Sequence, residues 1–132
     1  EDISLFIKDY LSMLHKRFDD YYPGNKSEMI QRVIRYVLGR PFDKHLLPEI
    51  AVLMGINHTY LSHSFKRDVG ISFVDYCNHY KIDSMKMLLL YSDLSIKEIA
   101  NKLKCDDKYM GRLFKKIVGV PPSRYRNHYK NL

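Results

Sequence analysis

Asn57-His58-Thr59-Tyr60-Leu61-Ser62-His63-Ser64-Phe65-Lys66-Arg67 decides the fold, because the chain carries this neighbourhood twice. A shift of 49 residues lays Glu49-Ile50-Ala51 on Glu98-Ile99-Ala100, Tyr60 on Tyr109, Phe65-Lys66 on Phe114-Lys115 and Val69-Gly70 on Val118-Gly119. Further along, Tyr76 falls on Tyr125 and Asn78-His79-Tyr80 on Asn127-His128-Tyr129. Met54 and Leu61 meet Leu103 and Met110, so apolar positions stay apolar. A constant offset without a gap marks one structural unit built twice.

Working outward, each copy reads as two short helices around a tight turn. In the first, Pro48 and Glu49 suit an opening helical turn, Ile50, Val52, Leu53 and Met54 supply apolar groups, and Gly55 permits a sharp bend. Asn57 is positioned to cap a second helix that stops near Gly70. In the second copy, Ser95-Ile96-Lys97-Glu98 has the spacing of a capping box, with Leu94 and Ile99 as its staple. Asp106 then caps a helix turning Tyr109, Met110, Leu113, Phe114 and Ile117 inward and ending near Gly119. Two such pairs, at about 46–70 and 95–119, make two helix-turn-helix patterns.

Residues 72–91 read as one longer linking helix, apolar on more than one side and expected to lie between the copies. Pro121-Pro122-Ser123 opens a last helix to Tyr129. Upstream, Ser27 caps a helix to Leu38 with Ile30, Val33, Ile34, Val37 and Leu38 inward. Before it, Ile3, Phe6, Ile7, Tyr10, Leu11, Leu14 and Phe18 form one stripe at helical spacing. That segment, 1–25, is expected to be a connector or a dimerisation helix, with 26–132 forming the domain proper. No strand alternation occurs, so the predicted class is all-α: two helix-turn-helix subdomains joined by a long helix, with an extra N-terminal helix.

Charge is unevenly placed. Residues 1–40 hold seven Lys/Arg against six Asp/Glu, and residues 41–132 hold fifteen against nine, so +6 of the total +7 lies with the repeat. That excess favours a polyanionic partner. The two cysteines, Cys77 and Cys105, form no disulfide framework, no apolar run reaches membrane-spanning length, and a cytoplasmic setting is expected. Glu1 in place of Met suggests a piece of a longer protein.

From about Ile30 to Tyr129 the sequence resembles the AraC/XylS family of bacterial transcription regulators. The resemblance rests on Tyr60-Leu61-Ser62-His63-Ser64-Phe65-Lys66-Arg67-Asp68-Val69-Gly70 and on the stretch from Arg112 to Arg126. In the latter a Phe-Lys pair, a Gly, a Pro-Ser and a Tyr-Arg recur at the family's spacings. The chain departs at Lys104-Cys105, where the family usually has Gly-Phe, at Gly111, and at His63. The resemblance implies a DNA-binding domain of two helix-turn-helix units and an upstream sensor, either a ligand-binding or a receiver domain. RNA polymerase and a second copy are further expected partners.

DNA supplies phosphates for affinity and base edges for specificity. With Leu61 and Phe65 inward, Thr59, Ser62 and His63 are the base-reading candidates of the first recognition helix. In the second they are Lys108, Gly111 and Arg112. Arg112 is the foremost, since a guanidinium bonds guanine O6 and N7 together, for about 1–3 kcal/mol of discrimination. Asn57, His58, Lys66, Lys115 and Lys116 are the phosphate candidates, and Lys108 suits that role as well. A linking helix of about 20 residues spans roughly 30 Å, close to the ~34–36 Å between successive major grooves on one face.

Other chemistries are poorly served. His58 and His63 diverge around a helix, Cys77 and His79 face apart, and neither pair suits zinc. No phosphate loop, paired carboxylates or nucleophile elbow is present, so no enzyme, cofactor or metal is expected. The alternative to a regulator is a protein-interaction module that kept the fold and lost base-specific DNA binding. An alkyl-transfer repair enzyme fused to such a domain would need a cysteine-rich acceptor site that these residues lack.

Overall fold

Each helix between residues 28 and 129 begins at a side-chain cap or with a proline in its first turn. The computed structural model describes Asp9, Met13 and residues 26–130. The helix expected over 3–22 lies outside the described residues, apart from Asp9 and Met13, both helical. Ser27 Oγ accepts from the Ile30 amide at 3.3 Å and opens α1 (Glu28–Gly39). α2 (Leu47–Met54) carries Pro48 in its first turn and ends at Gly55, whose φ is +66°. Asn57 Oδ1 accepts from the Tyr60 amide at 3.0 Å and opens α3 (His58–Val69). α4 (Phe73–Tyr91) then runs for 19 residues.

The second copy follows. Ser95 and Glu98 cap α5 (Ile96–Lys102) reciprocally, at 3.0 and 2.8 Å. Asp106 Oδ2 accepts from the Tyr109 amide at 3.0 Å and opens α6 (Asp107–Val118), and α7 (Pro122–Tyr129) closes the described chain. Among the described residues all regular structure is helical, in seven helices. The all-α class expected from the periodicity is what forms.

The repeat is realised down to its hydrogen bonds. Ile56 N donates to Ala51 O at 2.9 Å in the first turn, and Cys105 N to Ala100 O at 2.9 Å in the second. Gly70 and Gly119 end α3 and α6 at φ +95° and +103°. Phe65 meets Tyr76 edge-on with centroids 5.4 Å apart, and Phe114 meets Tyr125 in the same way at 5.4 Å. Each such ring pair contributes about 0.5–1.5 kcal/mol beyond the area it buries.

The chain divides after Tyr80 into two units. In the first, α1 and α2 both pack on α3. Its core holds Ile30, Val33 and Val37 from α1, Ile50 from α2, Leu61 and Phe65 from α3, and Tyr76 and Tyr80 from α4. In the second, α6 packs on α5 and α7 around Met85, Leu89, Ile99, Leu103, Met110 and Phe114. Each fully buried aliphatic side chain contributes about 1.5–3 kcal/mol. Arg126 and Lys130 satisfy carbonyls at the end of α4: Arg126 Nε donates to Leu89 O at 3.0 Å and Nη2 to Ser92 O at 3.2 Å. Lys130 Nζ donates to Ser92 O and Asp93 Oδ1, both at 2.6 Å.

Several inward expectations need correction. Val52 and Leu53 are 80% and 70% exposed, because the two-turn α2 turns only Leu47, Ile50 and Ala51 to the core. Tyr109 and Ile117 are exposed as well, since the buried stripe of α6 is Met110 and Phe114, four apart. Leu38 and Leu113 are half-buried. Tyr91 and Tyr129 are exposed too.

Candidate nucleic-acid interface

The second helices of the two helix-turn-helix pairs, α3 and α6, are built on one plan: a side-chain cap, a buried stripe, and a polar face opposite. On α3, Leu61, Ser64 and Phe65 are buried, which turns Thr59, His63 and Lys66 to solvent with Ser62 half-buried beside them. Asn57 and His58 are exposed at its start. Asn57 is tied by its capping bond, so its side-chain carbonyl is already engaged. On α6, Met110 and Phe114 are buried, and Lys108, Arg112, Lys115 and Lys116 are exposed. Gly111 lies half-buried among them, and a Cβ built on it meets nothing within 4 Å.

Each unit thus gathers its own candidates on one helix face. The helices differ in charge. α6 carries Lys108, Arg112, Lys115 and Lys116 against Asp107, a balance of +3, while α3 carries Lys66 and Arg67 against Asp68, a balance of +1. They differ also at their starts. α3 opens with Asn57 and His58, whereas α6 opens with Asp106 and Asp107, whose carboxylates suit the helix dipole but repel a phosphate. The cationic end of α6 is its middle and last turn.

Behind these faces, Asp68 at the end of α3 is buried and accepts from the Ser27 amide at 2.8 Å and from Arg67 Nε at 2.9 Å. Burial pushes the Asp68 carboxyl up, but the Ser27 amide and Arg67 outweigh it and hold the group below its ordinary value. Glu98 is likewise held low, by the Ser95 amide and hydroxyl of its capping box. Ser64 Oγ is buried without a hydrogen-bond partner, and the matching position in the second copy is Leu113.

The second turn is unusual. Lys104 takes φ +57° where the first copy has Gly55, a left-handed conformation costing about 1–2 kcal/mol in a residue with a Cβ. Next to it the half-buried Cys105 accepts from Lys81 Nζ at 3.3 Å. Two residues escaped the sequence reading of the face: Tyr60 and Tyr109, equivalent in the repeat, are 57% and 47% exposed. Their signal was available, since each precedes a buried residue and so lies about 100° around the helix from it. Among the described residues no group of three His, Cys, Asp or Glu side chains gathers as metal ligands, and no helix is long and apolar enough to cross a membrane.

Residues 50–128 match a helix-turn-helix domain family. YtdP, an HTH-type transcriptional regulator of Bacillus subtilis (strain 168), is 33% identical over 100 residues, covering 75% of this chain and 12% of its own length. YijO, of the same description in Escherichia coli (strain K12), is 34% identical over 79 residues, covering 59% of this chain and 28% of its own. The chain therefore spans a minor part of the curated relatives it matches. Among solved structures, the C-terminal domain of AraT, a response regulator from Geobacillus stearothermophilus, superposes with a TM-score of 0.74 at 29% identity. That match covers 80% of this chain and 88% of AraT's domain.

Proposed function

Because the chain belongs to the AraC/XylS-type helix-turn-helix family, we propose that it is the DNA-reading part of a transcription regulator, with α3 and α6 entering successive major grooves. The observation that carries this reading is the doubled face. Two helices related by the repeat each bury one stripe and turn polar side chains the other way, most of them cationic on α6. The 19-residue α4 between them is about 28 Å long at 1.5 Å per residue.

In this reading Thr59, Ser62 and His63 meet base edges from α3, and Lys108, Gly111 and Arg112 from α6. Arg112 is exposed near the middle of its helix, free to present both guanidinium edges to a guanine. Asn57, His58, Lys66, Lys115 and Lys116 bind phosphates, joined by the hydroxyls of Tyr60 and Tyr109. The acids at the start of α6 direct the second unit toward contacts made by its middle turns. An upstream sensor or receiver domain, RNA polymerase and a second copy complete the partners proposed.

Selection of bound sites from random duplex DNA tests this. Two blocks separated by about one helical turn are expected, and Arg112→Ala should erase a guanine preference in one of them. A single block would overturn the two-groove arrangement. An unchanged preference in the variant would remove Arg112 from base reading, and no enrichment would favour the protein-interaction alternative.

A further inference from the structure

The turns of the two helix-turn-helix pairs agree in backbone and differ in charge. The first is Gly55-Ile56, and α3 then opens with Asn57 and His58, which bring no acid. The second is Lys104-Cys105, and α6 then opens with Asp106 and Asp107. Carboxylates therefore stand where a phosphate would meet the free amides of α6. The backbone gives no reason for a lysine at this turn. Lys104 takes φ +57° beside +66° at Gly55, and among the described residues it is the one non-glycine residue at positive φ. Glycine enters this region freely and a residue with a Cβ does not, so the lysine is kept at a position where it lowers stability. Strain of this kind gathers where a side chain has a task.

A second lysine stands at the same turn. Lys81 Nζ, from α4, donates to Cys105 Sγ at 3.3 Å, and Lys104 directly precedes Cys105, all within the second unit. An ammonium has three protons to give, so this bond holds Lys81 at the turn without using it up. Lys104 is exposed and Lys81 half-buried. We propose that Lys81 and Lys104 form a phosphate clamp, so that the second pair grips the DNA backbone from its turn rather than from the start of its second helix. The two lysines offset the two acids that follow them. The clamp takes phosphodiester oxygens of duplex DNA, adds affinity, and carries no sequence information. It rests on the DNA reading above and adds a site to it.

Lys104→Gly is the informative variant, because it removes the ammonium and relieves the backbone at once. Its Tm should rise while the slope of log Kobs against log salt becomes shallower by about 0.9. Stability and binding then move in opposite directions, which a damaged fold cannot produce. Lys81→Gln should lower the slope by a similar amount, and the two changes together by about 1.8. The preferred site should stay the same in every variant. Fluorescence anisotropy of the whole 132-residue chain reads both quantities, with random-sequence duplex DNA and a duplex selected from it, between about 50 and 200 mM salt. An unchanged slope in both variants, with binding retained, overturns the clamp and leaves the DNA reading standing. No binding by the unaltered chain overturns both. A slope change confined to one lysine dissolves the pair, a fall in Tm for Lys104→Gly removes the strain from the argument, and an altered base preference makes the turn a base reader; each of these overturns the proposal.

Discussion

Asp68 joins the end of α3 to the beginning of another helix. Its carboxylate accepts from the Ser27 amide, and Ser27 in turn caps α1 through its hydroxyl, so α3 holds the first turn of α1 in place. A hydrogen bond to a buried charged group contributes about 1.5–3 kcal/mol. Asp68→Ala should therefore destabilise the protein by roughly that amount at neutral pH, measured by urea unfolding. The pH dependence has a definite sign. A carboxyl whose pKa is lowered on folding contributes its full stability above the unfolded value, near 3.8, and loses it as the pH falls through the folded value. The gap between native and variant stability should be equal at pH 7 and pH 5, then narrow below 3.8. Asp93 and Glu98, also held low, are common to both proteins and cancel in that difference. A gap unchanged down to pH 2 would mean that the charge of Asp68 contributes nothing.

At the scale of the element, α6 contains a glycine where a helix pays most for one. Gly111 lies in its interior, its backbone is helical, and an added Cβ meets nothing within 4 Å. Gly111→Ala should stabilise the helix by about 0.5–1 kcal/mol, visible as a rise of a few degrees in Tm. If α6 approaches base edges along this face, the same methyl should weaken specific DNA binding, so stability and affinity move in opposite directions. A variant that gains both would exclude close approach at Gly111. The helix starts were legible beforehand: Ser27, Asn57, Ser95 and Asp106 all cap as their residue types and spacing demand, because capping is settled within four residues. The polar faces of α3 and α6 were legible for the same reason, since helical period fixes what opposes Leu61–Phe65 and Met110–Phe114. Burial along α2 was not. A two-turn helix with five aliphatic groups has no single stripe, and only packing on α3 chooses Ile50 over Val52 and Leu53. Nor was the left-handed Lys104 legible, because its backbone is imposed by the turn against its own preference.

For the whole molecule the decisive quantity is where its charge lies. A net +6 over residues 41–132 against +1 over 1–40 places nearly all the attraction for a polyanion in the part that holds α3 and α6. Binding through phosphates releases counterions, so log Kobs falls linearly with log salt, by about 0.9 per phosphate neutralised on duplex DNA. Base contacts leave that slope nearly unchanged while altering sequence preference. The two classes of candidate can therefore be separated by one titration. Lys115→Ala with Lys116→Ala should lower the slope by about 1.8, weaken binding to all sequences alike, and keep the preferred site. Arg112→Ala should reduce preference for that site by a factor of about 5–150, corresponding to 1–3 kcal/mol, with less effect on the slope. Fluorescence anisotropy on matched and scrambled duplexes between 50 and 200 mM salt measures both. If the lysine pair changes preference and the arginine only the slope, the roles assigned along α6 are reversed, and the helix lies in its groove turned about its own axis by roughly the angle between Arg112 and Lys115.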